Sequence, residues 1–240
     1  MKIRVKFKKE GAMKFVGHLD VMRYFQKAIR RADVDICYSA GFNPHQIMSF
    51  AAPLGIGLTS EGEYMDIEVN STKSSKEMVE DFNRCMVEGF SVISYRQLPE
   101  DSKNAMSIVA AADYVLSFRE GYEPENKIAF FEGLKEFYNQ EEINIVKKTK
   151  KSEMEMNIRP LIYQLEVRGD NIFMQVSTGS VSNIKPELVM QAYYDKLGME
   201  LNPFTFQIHR LELYADKNMK LEDTPMDLIS LEALGDEIGE

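Results

Sequence analysis

Hydrophobic periodicity changes between a two-residue and a three-to-four-residue repeat several times in residues 2–98, which restricts this region to a fold of strands and helices. Residues 2–9 alternate, with Ile3, Val5 and Phe7 on one predicted face and only basic side chains on the other. A helical repeat begins near residues 18–20 and ends near residue 32. Strand patterns at 47–52, 62–69 and 90–98, with a helix after residue 74, complete the order β-α-β-β-α-β. That order is typical of a ferredoxin-like unit.

The second half of the chain shows the same order of elements without a residue-level repeat. Strands are predicted at 112–118, 162–167, 172–177 and 204–214, helices at 128–138 and 186–197, and a hairpin at 143–157 with a lysine-rich tip at 147–151. The predicted fold class is therefore α+β, with two tandem ferredoxin-like (βαββαβ) halves and mainly antiparallel sheets. The predicted boundaries are 1–98 and 107–215 for the halves, with a polar linker between them, and 216–240 for an acidic tail with a weak helical pattern.

Local signals refine the helices. Ser74 with Glu77 three residues later predicts a capping box at the start of the second helix. In the first helix the repeat places Leu19 on the buried stripe, and in the helix at 128–138 it places Ile128 there. We therefore expect both side chains to be buried.

Charge is distributed unevenly along a chain whose net charge is −9. Residues 1–31 contain ten basic and two acidic side chains, whereas residues 216–240 contain two basic and eight acidic ones. A basic module can bind phosphates even when the whole molecule is anionic. For the basic face of the first strand, two interpretations are open: a solvated strand face, or a sheet surface that faces phosphate.

Other sequence features narrow the class of protein. The chain has only two cysteines, Cys37 and Cys85, without CxxC or His/Cys spacing, so we expect a reducing compartment, no structural zinc and no cofactor. The N-terminal residues lack the apolar region of a signal peptide, and no apolar run approaches the length of a membrane span. The expectation is a cytoplasmic protein without a membrane partner.

The most informative stretch is 15–53, which combines a helix with a basic edge and a turn-rich loop. Arg23, Lys27 and Arg30 follow i, i+4, i+7 spacing and Arg31 adjoins them, so these four side chains predict one basic helix edge. The loop at 39–45 contains Gly41, Asn43 and Pro44, which favour a specialised turn. The residues predicted to bind are Arg23, Lys27, Arg30, Arg31, Tyr38, Ser39, Phe42, Asn43, Glu63 and Arg159.

Two histidines of this stretch, His18 and His45, leave three roles open. The first is structural or binding: His18 caps the helix or bonds the loop, and His45 pins the turn. The second is a catalytic pair that acts as general base and acid on a phosphodiester, with an arginine holding the phosphate. The third is a metal site with Asp20, for which the sequence offers no convincing further ligand.

Acidic and basic residues elsewhere also have alternatives. Glu63 or Asp66 is predicted to neutralise the basic helix or to bind an exocyclic amine, unless it belongs to an ordinary polar turn. Arg159, before Pro160, reaches a phosphate or an acidic partner, or is a plain surface residue. Tyr24, Phe42, Phe50, Tyr64 and Tyr95 are interleaved with or follow the basic module; we expect one or two of them to stack on bases and most to belong to the core, and the sequence does not distinguish them.

The sequence from 15 to 69, and MNIRPLI at 156–162, resemble the radical-SAM-linked protein family, a domain-of-unknown-function family found beside or fused to radical SAM enzymes. The positions that match its motif are His18, Asp20, Arg23, Arg30, Arg31, Tyr38, Ser39, Gly41, Phe42, Asn43, Pro44, His45, Ser49, Glu63 and Asp66. Genes of the family often lie near ribonuclease E/G-type and ribosomal-protein genes. The resemblance implies an accessory role in RNA modification or ribosome-related metabolism beside a radical SAM partner. The chain itself lacks the CxxxCxxC that holds the iron–sulfur cluster of such enzymes.

Three hypotheses for function follow. The first is a non-catalytic module that binds RNA, such as tRNA or rRNA, or presents a substrate to a radical SAM enzyme. The second is a metal-independent endoribonuclease or phosphodiesterase that uses His18 and His45. The third is a protein-interaction adaptor that docks a basic partner through the acidic tail.

Overall fold

The computed structural model describes residues 1–148, 153–218 and 224–239. The strands are β1 (Lys2–Lys9), β2 (Met48–Phe50), β3 (Thr59–Glu68), β4 (Phe90–Leu98), β5 (Val109–Phe118), β6 (Asn144–Lys148), β7 (Glu153–Asn157), β8 (Ile162–Arg168), β9 (Asn171–Ser177), β10 (Phe206–Asp216), β11 (Leu228–Ser230) and β12 (Asp236–Glu237). The helices are α1 (His18–Arg31), α2 (Ser75–Cys85), α3 (Ala105–Ile108), α4 (Lys127–Tyr138) and α5 (Pro186–Lys196), with 3-10 turns at Gly11–Phe15, Arg159–Leu161 and Glu232–Leu234.

The chain divides into two compact units. One contains Met1–Ala111 and Arg210–Glu240, and the other contains Ala112–His209. The sequence-based boundaries differ from this division at the C-terminal end, because the end of β10 and the acidic segment belong to the first unit. The composition of residues 216–240 marks a change of charge but carries no information about which strands they pair with.

In the first unit the strand order is β12-β4-β1-β3-β10, with β2 paired to β3 and β11 paired to β10. β1 lies between β3 and β4 and is antiparallel to both. The apolar face of β1 packs with Phe25 of α1 and Phe82 of α2 in the core of this unit. The mixed α+β class with mainly antiparallel pairing is therefore confirmed for this unit.

In the second unit the strand order is β10-β5-β9-β8, and β6 and β7 form a separate antiparallel pair. The α4 and α5 helices pack together through aromatic rings, and the Tyr193 hydroxyl donates to the Phe130 carbonyl at 2.6 Å. The α4 helix turns Phe130, Phe131, Leu134 and Phe137 inward. Its N-terminal turn leaves Ile128 73% exposed, so the prediction that this side chain is buried is wrong.

Two further predictions about the first unit are corrected. Leu19 is 62% exposed because α1 turns Val21, Phe25, Ala28 and Ile29 to the core, which puts the first-turn leucine outside the buried stripe. The helix suggested by the weak pattern in the C-terminal segment is a wrong prediction, since those residues form β11, a 3-10 turn and β12. The capping box is confirmed: the Ser74 hydroxyl accepts from the Glu77 amide, and the Glu77 carboxylate accepts from the Ser74 amide.

Candidate functional site

Two of the four side chains on the basic face of β1, Arg4 and Lys6, are paired with acidic residues of their own unit. Arg4 is 2% exposed, and its Nε and Nη2 donate to the two carboxylate oxygens of Asp66 at 2.8 and 2.9 Å. Its Nη1 donates to the Leu231 carbonyl at 3.1 Å. Both interpretations of this strand face, as solvated or as facing phosphate, are therefore wrong at Arg4, because a buried guanidinium needs an internal partner.

Lys6, two residues along β1, has the same kind of environment. Its Nζ donates to Glu212 at 2.7 Å and to Glu232 at 3.0 Å, and the Tyr64 hydroxyl donates to the other oxygen of Glu212 at 2.5 Å. Burial lowers the pKa of Lys6, but its hydrogen bonds and ion pairs with the two glutamates outweigh burial and hold the pKa above its usual value. Burial together with the Glu212 charge raises the pKa of Tyr64, which keeps this hydroxyl a donor.

Glu63 and Asp66 serve this internal network rather than the helix. The buried Glu63 carboxylate accepts from Arg210, which also donates to the Ala52 carbonyl at 2.6 Å. Nearby, Lys9 is 2% exposed and donates to the Val16 carbonyl at 2.8 Å. Burial lowers the pKa of Lys9, opposed by the negative charge of Glu63. The prediction that Glu63 or Asp66 neutralises the basic helix is wrong, because each is bound to a different buried arginine.

The basic edge of α1 differs from the buried cations described above because it lies at the protein surface. The side chains of Arg23, Lys27, Arg30 and Arg31 are all exposed. Arg23 pairs with Asp20 at 3.2 Å in an exposed i, i+3 contact, which is weak in water. Within the described part of the chain, the other three form no ion pair. The first unit thus pairs Arg4, Lys6 and Arg210 with internal carboxylates, whereas Lys27, Arg30 and Arg31 are exposed without an ion pair to a described residue.

The segment 38–46 forms a closed loop beside this edge. Tyr38 and Gln46 pair as an antiparallel bridge, and the Ser39 amide donates to the His45 carbonyl at 2.8 Å. The Gln46 Nε2 donates to the Gln26 carbonyl of α1 at 3.3 Å, which fastens the base of the loop to the helix. We call the exposed basic edge of α1 together with this loop the helix–loop surface; its members are Arg23, Lys27, Arg30, Arg31, Tyr38, Ser39, Phe42, Asn43 and His45.

An open cleft of about 570 Å³ lies where the end of α1 meets this loop. Arg30 and Tyr38 line it together with Asp33, Asp35 and Ser71. The Asp35 carboxylate accepts from Asn70 Nδ2 at 2.9 Å and from Ser71 Oγ at 2.7 Å, and these bonds hold the pKa of Asp35 below its usual value. Asp33, Asp35 and Ser71 were not among the predicted site residues, since nothing in the local pattern indicates that residue 71 returns to this position.

The two histidines have different neighbours. The His18 ring is half-buried and perpendicular to the Phe50 ring at a centroid distance of 5.3 Å, beside a small cavity that Lys9 and Glu63 also line. Gly17, not His18, is the N-cap of α1. His45 is exposed, and its Nδ1 lies 2.8 Å from Ser39 Oγ. The contacts of each ring are those of packing and of turn closure, and their use in catalysis stays a prediction.

Outside the helix–loop surface, the described residues offer little that could bind a metal ion or a phosphate. Among the described residues, no three His, Cys, Asp or Glu side chains lie together in a group that fits a metal ion. Arg159 stacks on the Tyr138 ring at 4.1 Å and donates to the Ile162 carbonyl at 3.0 Å, so it is engaged within the second unit. The lysine-rich tip predicted at 147–151 lies mainly outside the described residues.

No described helix has the length and apolar character required to cross a bilayer.

The folded chain is thus a mixed α+β protein with mainly antiparallel strands and an exposed cationic surface. Residues 2–186 match the model of DUF2344, the family described as an uncharacterized protein conserved in bacteria, and the chain belongs to that family. A comparison with curated proteins gave no match.

Solved structures provide more distant similarities. The crystal structure of a Cbf5-Nop10-Gar1 complex contains a chain that is 10% identical, with a TM-score of 0.44 over 88% of this chain and 48% of that one. This protein therefore spans about half the length of that chain. An unknown protein from Galdieria sulphuraria is also 10% identical, with a TM-score of 0.27 over 87% of this chain and 96% of the other.

Proposed function

We propose that the protein is an accessory RNA-binding module that holds RNA on the helix–loop surface for a radical SAM enzyme. The observation that carries the RNA part is the contrast within one unit. Arg4 is buried and Lys6 is half-buried against carboxylates, whereas Lys27, Arg30 and Arg31 are exposed and have no ion pair to a described residue. An anionic polymer neutralises such an edge and releases counterions, which favours binding.

The proposal extends to the fold of the two halves as ferredoxin-like units. Numbered along the chain, the strands of such a unit have the spatial order 4-1-3-2. The orders β4-β1-β3-β2 in residues 1–98 and β10-β5-β9-β8 in the second half agree with it, and the β6-β7 pair is an insertion in the second half. Fold alone does not determine function, so the RNA proposal depends on the surface charges and not on this architecture.

The association with a radical SAM enzyme depends on the resemblance of residues 15–69 to the radical-SAM-linked family. A tagged full chain is expected to retain a partner with iron–sulfur absorbance during purification from a cell that contains both proteins. If the tagged chain retains no more iron–sulfur protein than an unrelated tagged protein does, this part of the proposal fails. RNA binding then remains open.

The two other hypotheses have less support from the geometry. A catalytic His18 would have to leave its packing against Phe50, and His45 is already bonded to Ser39. For the adaptor hypothesis, Glu232 is engaged by Lys6 and by Arg96 within the unit. Neither arrangement favours these alternatives over binding at the helix–loop surface.

The direct experiment is a filter-binding titration of the full chain with tRNA and rRNA fragments. The variant Lys27→Gln/Arg30→Gln/Arg31→Gln removes three exposed cations from the surface. A matched control, Lys76→Gln/Lys103→Gln/Lys185→Gln, removes three exposed cations elsewhere, so both variants have the same net charge. We expect the first variant to lose binding and the control to retain it. Equal loss in both would indicate a general charge effect and overturn the assignment to α1.

A further inference from the structure

We propose that the ligand of the helix–loop surface is single-stranded RNA, with the Phe42 ring stacked on one unpaired base. This inference rests on the proposed function, because it specifies the class of RNA that the same surface takes. The α1 edge supplies phosphate contacts, which are independent of base pairing. Phe42 adds a contact that only an unpaired base can make.

Phe42 is held outward by a loop that is closed at its base. The Cys37 carbonyl accepts from the Ile47 amide at 2.9 Å, and the Ser39 amide donates to the His45 carbonyl at 2.8 Å. Side chains add to the closure, since Ser39 Oγ lies 2.8 Å from His45 Nδ1 and accepts from the His45 amide at 3.1 Å. Gly41 has a φ of +112°, a conformation that other residues rarely adopt. The ring is thus presented by a bonded turn.

Phe42 is also as exposed as an aromatic side chain can be. Its relative exposure is 105%, whereas most phenylalanines of this chain are buried in the two cores. An exposed ring on a bonded loop gains free energy when a flat apolar partner covers it. A nucleobase provides such a face, and stacking of one base on an aromatic ring is sequence-tolerant.

The surroundings of the loop favour a nucleic acid over an uncharged partner. The base of the loop is fastened to α1 by the bond between Gln46 and Gln26, so the ring and the basic helix edge belong to one surface. The loop base also contributes Tyr38, 52% exposed, to the cleft that Arg30 lines. The acids of this cleft are Asp33 and Asp35, and Asp35 is bound to Asn70 and Ser71. Stacking rings beside a cationic edge are the combination found in single-strand binders.

The test compares one RNA strand of about 12 nucleotides, within the site sizes of single-strand binders, with the same strand annealed to its complement. Both are titrated at one ionic strength with the full chain and with Phe42→Ala and Phe42→Tyr. Phe204→Ala is the control, because Phe204 is 62% exposed but lies in the second unit. We expect the wild type to bind the single strand about tenfold or more tightly than the duplex.

Phe42→Ala is expected to weaken single-strand binding about tenfold, while Phe42→Tyr and Phe204→Ala change it less than about twofold. None of the variants should change duplex binding or the dependence of binding on salt, since no charge is altered. If the wild type binds both RNAs equally and Phe42→Ala has no effect, stacking is overturned while RNA binding stands. If Phe204→Ala weakens binding as much as Phe42→Ala, the assignment to Phe42 is overturned. If neither RNA binds, the proposed function itself fails.

Discussion

Replacing Asp66 by asparagine tests the buried pair that joins β1, β3 and the C-terminal segment. Asp66 Oδ1 accepts from Arg4 Nε, and Oδ2 accepts from both Arg4 Nη2 and the Ala105 amide at 2.7 Å. Asparagine keeps the shape but removes the charge, and it places an N–H group against at least one of these donors. Arg4, 2% exposed, is left as a buried cation without its counterion.

The expected loss follows from the number of bonds affected. Two charge-assisted hydrogen bonds contribute about 1.5–3 kcal/mol each, and breaking one partner of a buried ion pair costs about 3–5 kcal/mol. We therefore expect Asp66→Asn to lower the free energy of unfolding by about 3–5 kcal/mol. The chain has no tryptophan, so urea unfolding at pH 7 is followed by tyrosine fluorescence.

The control is another Arg–Asp pair of the same unit. Arg23 and Asp20 are 68% and 66% exposed, so Asp20→Asn should cost at most about 0.5 kcal/mol. The double replacement Arg4→Met/Asp66→Leu should recover only part of the loss, since it leaves no buried charge but removes the acceptor of the Ala105 amide. A loss below about 1 kcal/mol for Asp66→Asn, or a loss equal to that of Asp20→Asn, would refute the buried-pair interpretation.

Three further changes test other parts of the structure. Burial raises the pKa of Glu232, but hydrogen bonds and ion pairs with Lys6 and other groups outweigh burial and hold the pKa below its usual value. Glu232→Gln should therefore lower the melting temperature at pH 7 and have the same melting temperature as wild type at a pH below the folded pKa. A difference in melting temperature that persists in acid would contradict this. A Cβ added at Gly62 would lie 2.5 Å from the Leu211 carbonyl oxygen of β10, so Gly62→Ala should lower the free energy of unfolding in urea by about 1–3 kcal/mol. Gly239→Ala, where a Cβ would meet nothing, should leave it unchanged. Equal effects of the two replacements would refute the close approach at Gly62. Ser74→Ala should cost about 1 kcal/mol, measured in the same way, and no loss would mean that the cap is not stabilising.

The local elements could be predicted from sequence because their signals are local. The alternation in β1, the repeat in α1 and the capping box at Ser74 each depend on neighbours within a few residues. The exposed edge of α1 could be predicted for the same reason. A first-turn residue such as Leu19 or Ile128 fits a periodic pattern equally well whether it is buried or exposed, so the pattern alone misplaced both.

The pairing of charges could not be predicted, because it depends on residues far apart in the chain. Lys6 meets Glu212 and Glu232 only because the C-terminal residues return to β1. The uneven charge of the two ends is visible in the sequence, but the sequence does not show that Arg4 and Lys6 pair with carboxylates within the unit. Arg4 and Lys6 of β1 are paired with carboxylates within the unit, whereas Lys27, Arg30 and Arg31 of α1 are exposed.

The salt dependence of binding shows whether the exposed edge of α1 contacts RNA phosphates, as proposed. The affinity of the full chain for single-stranded RNA is measured from about 0.05 to 0.2 M salt, for wild type, for Lys27→Gln/Arg30→Gln/Arg31→Gln and for the matched control triple variant. Each phosphate contact contributes about 0.7 to the slope of log affinity against log salt, so the α1 variant should reduce that slope by about 2 and the control should not change it. A slope that stays the same in the α1 variant, or falls equally in both, would contradict the assignment of RNA binding to this helix.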